Sequence, residues 1–219
     1  MLEHRPTIRR HALVTDPVLC GARGVVETVR LAVDGGVHTV QLRDKHASFD
    51  EQLKQLEELA VITAGRAKLV INDRLDVDIE AQKRGIAIDG VHLGQGDDTV
   101  LRAREELGPN AIIGLSAHTG EHLAEVAAFP TSTVDYVGVG VIRPTSTKPN
   151  HPPALGIDGF EKLTAQSPVS TVAIGGVRKE DIQPLLNAGA AGICFVSAIC
   201  AADDPEATAR SMANAWGQH

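Results

Sequence analysis

Aromatic residues are scarce. They make up 3% of the 219 residues, with one tyrosine and one tryptophan. A core of large rings is excluded, so Ala, Val, Ile, Leu and Gly must fill the interior, which suits strands packed under helices. Cysteines number three: Cys20, Cys194 and Cys200. The odd count, without any CxxC or Cys/His spacing, argues against a disulfide frame or a zinc centre and for buried thiols in a reducing compartment. A long basic block is missing, and the formal net charge is −7. General nucleic-acid binding is thereby disfavoured, because a phosphate backbone needs a broad cationic surface. Any anion must be held by a local cluster. No apolar run approaches the ~18–20 residues that span a bilayer. The opening stretch MLEHRPTIRRHALVTD has no apolar signal core. A cytoplasmic protein with no membrane contact is expected.

What the chain does have is a recurring unit. A short apolar run ends in polar or glycine residues, and a helical segment follows. HALVTD (11–16), HTVQLRDK (38–45), AKLVINDR (67–74) and DGVHLGQ (89–95) begin the first four units. AIIGLSAHT (111–119), YVGVGVI (136–142), STVAIGGV (170–177) and GICFVSAI (192–199) begin the rest. In the second helical segment Leu53, Leu56, Leu59, Ala60 and Thr63 share a face, with Ser48 as N-cap. Eight β-then-α units predict parallel strands joined by helical crossovers. Eight units favour a closed barrel over an open sheet, so the expected fold is a single α/β domain over 1–219, a (β/α)8 TIM barrel. No linker or shared repeat motif interrupts it.

In such a barrel the chemistry sits at the carboxyl ends of the strands. There QLRDK places Gln41, Arg43 and Lys45 on one side at strand spacing. A solvated strand end would explain that segment alone. Arg, however, suits bidentate phosphate contacts, and Lys adds a mobile charge. Asn72 and Asp73 end the third strand, and Gly94, Gln95 and Asp97 follow the fourth. Two carboxylates on neighbouring strands can hold Mg²⁺, a hard cation that prefers oxygen ligands, water and substrate phosphates. Either aspartate could instead cap its following helix. Ser116 suits donation to an anion or a helix cap. His92 and His118 read best as hydrogen-bonded wall residues.

The sixth unit runs into 138-GVGVIRPTSTKPNHPP-153, where Thr145, Thr147 and Lys148 sit among prolines. A linker needs no such residues, but an anion site does. Residues 143–155 are expected to close as a lid over bound phosphates. Gly175-Gly176 and Val196-Ser197 follow strands seven and eight, where barrels often bind a phosphate through backbone N–H groups. The residues thus suggest two anion sites. One, near strands two to four, is cationic and carries a metal. The other, near strands seven and eight, takes a monophosphate. No Ser/His/Asp triad is evident.

The ordered set QLRDK, INDR, GVHLGQGD, GLSAHT, DYVGVGVIRPTSTK, AIGGV and VSAI resembles the thiamin-phosphate synthase family from about Val40 to Ile199. The resemblance implies a transferase that joins 4-amino-2-methyl-5-hydroxymethylpyrimidine diphosphate to 4-methyl-5-(2-phosphoethyl)thiazole and releases pyrophosphate. It implies that Arg43, Lys45, Asn72, Ser116 and Lys148 hold the diphosphate, with Arg43, Lys45, Ser116 and Lys148 acting in catalysis. It gives Mg²⁺ to Asp73 and Asp97, and the thiazole phosphate to Thr145, Thr147, Gly176, Val196 and Ser197. Gln41 and the neighbourhood of His92 and Gly94 would line the pyrimidine pocket. The expected partners are these small molecules, with a homo-oligomer left open.

The chain departs from the family's pattern at several places. Val141 stands where proline is common and Arg143 where an aromatic or apolar residue is. Gly96 replaces a frequent acid, and the segment from Asp73 to Gly90 is longer. Two rival readings compete with this one. A thiazole tautomerase-like isomerase should need neither the paired aspartates nor TxTK. A non-catalytic phosphate-binding regulatory barrel has no need of the full cationic and acidic set.

Overall fold

The structure, a computed structural model, describes Ile8 and residues 10–95, 97–145, 147 and 153–217; for 97–99 it describes the backbone only. Eight strands close a parallel barrel in sequence order. They are β1 (Arg10–Val14), β2 (Thr39–Leu42), β3 (Lys68–Asn72), β4 (Gly90–Leu93), β5 (Ile112–Ala117), β6 (Tyr136–Val139), β7 (Ser170–Ala173) and β8 (Gly192–Phe195). Helices α1 (Pro17–Cys20) and α2 (Gly24–Asp34) follow β1, and α3 (Phe49–Thr63) follows β2. Then come α4 (Leu75–Lys83), α5 (Asp97–Leu107), α6 (Gly120–Ala128), α7 (Gly156–Thr164) and α8 (Ile182–Asn187). After β8 come α9 (Ser197–Cys200) and α10 (Pro205–Trp216). Among the described residues no helix is long and apolar enough to cross a membrane.

The expected (β/α)8 barrel is the observed one, and its pattern has a plain cause. The strands are buried on both faces, so they read as short runs of Val, Ile, Leu and Ala. One core lies inside the barrel and includes Ala12, Val14, Val70, Ile112, Tyr136, Val172 and Cys194. The larger one, with Leu13, Leu56, Leu69, Val91, Phe160 and Ile193, packs the sheet against the helices. Ser48 caps α3 as expected, in a capping box with Glu51, and Leu53, Leu56, Leu59 and Thr63 are buried; Ala60 is only half-buried.

The strands are shorter than the sequence runs suggest. β2 stops at Leu42, so Arg43 and Lys45 lie on the loop beyond it. Residues 197–199 of VSAI belong to helix α9, not to β8. A short apolar run does not by itself distinguish a strand from a buried turn of helix.

One helix carries an anomaly. Asp78 of α4 is wholly buried; one carboxylate oxygen accepts from Gln82 Nε2 at 2.9 Å and the other has no hydrogen-bond partner among the described residues. Burial raises its pKa from 3.8 to about 6. The folded value lies above the unfolded one, so the stability it contributes is complete below pH ~4 and is lost as pH rises through about 6. Asp78→Asn removes the ionisation. It should stabilise the protein by roughly 1–2 kcal/mol at pH 7 and have little effect near pH 4. Urea unfolding at the two pH values checks this, and an equal shift at both would refute it.

Candidate active site

Every strand of a parallel barrel ends on the same rim, so residues distant in sequence converge there. A pocket opens on that rim. Its lining includes Gln41, Arg43 and Lys45 after or on β2, Asn72 and Asp73 from β3, and Ser116 from β5. Across from them it includes Thr145 and Thr147, then Gly176, Val196 and Ser197. These are eleven of the thirteen residues expected to bind substrate or metal. The other two are Asp97 and Lys148. Asp97 is the first residue of α5, and its side chain lies outside the described residues. Lys148 lies outside them altogether, as does much of the expected lid (146 and 148–152).

The first wall is braced from β1. Buried Thr15 accepts from Arg43 N–H at 2.8 Å, and its hydroxyl lies 3.2 Å from Arg43 C=O. Asp16, which also caps α1, sits 3.9 Å from the Arg43 guanidinium. Buried Gln52 of α3 donates to Asp44 C=O at 2.6 Å and holds the loop that carries Lys45. Thr15 and Gln52 were missed from the sequence. Thr15 had a signal, because it is the polar residue just past β1; Gln52 had none, since it sits on an ordinary helix.

Asp73 has a left-handed backbone, with φ of 60°. Its carboxylate accepts from Gly94 N–H at 3.0 Å and from Asn72 Nδ2 at 2.7 Å. Those bonds tie β3 to the loop after β4, and Arg74, the N-cap residue of α4, makes no side-chain cap bond among the described residues. A helix-capping role for Asp73 is therefore set aside. Ser116 does not cap either: Thr119 does that for α6. The Ser116 hydroxyl instead lies 3.1 Å from His92 Nε2, and His92 Nδ1 lies 2.8 Å from the Tyr136 hydroxyl. Gln95 donates to the Ser116 carbonyl. His118 donates from Nδ1 to Gly140 C=O at 2.7 Å, as a wall residue should.

The floor is apolar and deeply buried. Cys194 and Val14 line it, and burial pushes the Cys194 thiol up to about 12, so it stays protonated. Tyr136 fills the barrel beside them because Gly114 leaves it room. A Cβ at Gly114 would stand 2.1 Å from the Tyr136 ring.

The second wall is main chain. Gly175 and Gly176 have φ of 92° and 67°. Ile142 and Arg143 donate their N–H groups to Gly175 C=O at 3.0 Å each. The Arg143 side chain turns away from the pocket. It pairs with buried Asp181 through Nε at 2.9 Å and Nη2 at 2.5 Å, and this bond holds the Asp181 carboxyl below its usual range. Arg143, which stands in the family pattern's apolar position, thus ties the loop after β6 to the segment before α8. Thr145 and Thr147 join hydroxyl to hydroxyl at 3.0 Å on the pocket side of that tie.

Fold and pocket define the class first: a (β/α)8 barrel with a pocket at the carboxyl ends of its strands. Comparison with known proteins narrows it. The sequence pattern of the family described as thiamine monophosphate synthase matches residues 11–199. The thiamine-phosphate synthase of Psychrobacter sp. (strain PRwf-1) is 44% identical over 200 residues, which are 91% of this chain and 92% of that one. That of Xanthobacter autotrophicus is 44% identical over 201 residues, with 91% and 92% covered. Among solved structures, thiamine phosphate pyrophosphorylase from Pyrococcus furiosus superposes with a TM-score of 0.81 at 29% identity, covering 95% of this chain and 96% of that one. The chain belongs to the thiamine monophosphate synthase family and is a transferase of that type.

Proposed function

We propose that the chain condenses 4-amino-2-methyl-5-hydroxymethylpyrimidine diphosphate with 4-methyl-5-(2-phosphoethyl)thiazole to give thiamin phosphate and pyrophosphate. The observation that carries this reading is that the family's ordered segments meet in one pocket, with cations on one wall and glycine turns on the other. Arg43, Lys45, Asn72 and Ser116 would bind the diphosphate, with Lys148, which follows β6 in the sequence, joining them. Thr145, Thr147, Gly176, Val196 and Ser197 would bind the thiazole phosphate. Gln41 would face the pyrimidine.

The reaction we infer is dissociative. The methylene C–O bond breaks and its electron pair leaves on pyrophosphate. The aminopyrimidine shares the positive charge left on carbon. The thiazole nitrogen then supplies its lone pair to the new C–N bond. No strong base is needed, which agrees with a site built from donors and cations. Catalysis is then electrostatic stabilisation and alignment of two reactants.

A divalent cation suits the donors present. Asp73 offers hard carboxylate oxygens on the pocket wall, and Asp97 opens α5 on the neighbouring loop. Mg²⁺ commonly takes only one or two protein carboxylates beside water and substrate phosphates. Bound there, it would supply Lewis-acid stabilisation of the leaving diphosphate. Thiamin phosphate formation from the two purified substrates, with and without Mg²⁺, tests the whole reading. We expect product in both-substrate mixtures with Mg²⁺ and little without it. No product from any mixture would reject the proposed reaction.

A further inference from the structure

We propose that Tyr136 and His92 are positioning residues that turn the Ser116 hydroxyl hydrogen toward an anion in the pocket. The three side chains come from β6, β4 and β5 and form one line: Tyr136 hydroxyl to His92 Nδ1 at 2.8 Å, and His92 Nε2 to Ser116 Oγ at 3.1 Å.

Each of these bonds taken alone could run either way, since hydroxyls both donate and accept and a neutral imidazole does one at each nitrogen. Burial decides the direction. Tyr136 is 1% exposed, and its hydroxyl holds its proton because the phenolate would be stranded away from water. A buried O–H that donates to nothing is costly, so its proton must go to an acceptor. Gln41 also hydrogen-bonds the phenol, and because that bond lowers the phenol's pKa it is the amide N–H that donates; the phenol's own proton is left for His92 Nδ1. Nδ1 is then the bare nitrogen, and the imidazole carries its proton on Nε2. That N–H donates to Ser116 Oγ. Ser116 accepts there, so its own hydrogen is directed elsewhere, and the open side of this half-buried residue is the pocket. A donor aimed there suits phosphate oxygens. Gly114 and Gly138 serve the same line by leaving space. A Cβ at Gly114 would meet the Tyr136 hydroxyl at 2.3 Å, and one at Gly138 would meet His92 Cε1 at 3.2 Å.

This deepens the proposed function, because the anion it favours is the diphosphate of that reading. Two measurements test it on the full chain. The first is ¹⁵N NMR of histidine-labelled, ligand-free protein at alkaline pH, with the His92 signals assigned by His92→Gln. We expect a protonated Nε2 and a bare Nδ1; a protonated Nδ1 would overturn the relay. This reads the tautomer without any substrate, so it stands or falls apart from the condensation reaction, and it needs no variant of Tyr136 to fold. The second is titration with inorganic pyrophosphate. Ser116→Ala should weaken binding by about tenfold, and Tyr136→Phe by a similar or smaller factor. The double variant should bind no more weakly than Ser116→Ala alone. Losses that multiply in the double variant would show that Tyr136 does not act through Ser116, and would sink the proposal.

Discussion

Asp73→Asn should lower Mg²⁺-dependent turnover by roughly a hundredfold or more, while the barrel folds as before. Asn is the informative substitution. It tolerates the left-handed backbone at φ of 60° and keeps an oxygen that can accept from Gly94 N–H. What it removes is the charge, together with the oxygen that accepts from Asn72 Nδ2. The expected loss is largest at limiting Mg²⁺ and is partly recovered as Mg²⁺ is raised, because a weakened cation site fills again at higher concentration. Asp97→Ala, at the first residue of α5, should behave alike. Steady-state rates across an Mg²⁺ series, with thermal melts as a folding control, measure both. Near-normal rates for both variants at limiting Mg²⁺ would remove these aspartates from metal binding.

Gly176→Val is expected to weaken thiazole phosphate binding by about a hundredfold or more, whereas Ser197→Ala should cost less than about tenfold. The two residues line the same side of the pocket but contribute differently. At Gly176 the backbone is left-handed, and a branched side chain there is strained. Space is also lacking: a Cβ would lie 2.7 Å from Arg143 C=O and 2.9 Å from Arg143 Cβ. The turn must therefore move, and main-chain groups that could face a phosphate move with it. Ser197 is exposed, and its backbone N–H survives loss of the hydroxyl. Calorimetric affinities for the thiazole phosphate, on variants shown to be folded, compare them. Equal losses would mean that the side-chain hydroxyl, not the main chain, dominates that wall.

The chain's own residues determined the architecture. Glycine and polar residues punctuate eight apolar runs, and each run is followed by a helical period or a cap such as Ser48. These signals are local, because hydrophobic period and turn chemistry act over a few residues. Once eight parallel strands are granted, closure alone brings Arg43, Asn72, Ser116 and Ser197 to one rim, so most of the pocket was legible before any coordinate. The strand ends were less so: Arg43 lies past β2 and Ser197 within α9, since a loop and a short helix can carry the same apolar and polar letters. Only tertiary structure decided which side chains bind one another. Arg143 read only as a departure from the family's apolar position, yet it finds Asp181, 38 positions away. Tyr136 looked like one more apolar strand residue, yet its hydroxyl finds His92 across 44 positions. Such partners are set by barrel register and by the space left at Gly114. A side chain's direction and its burial exist only after the sheet has closed.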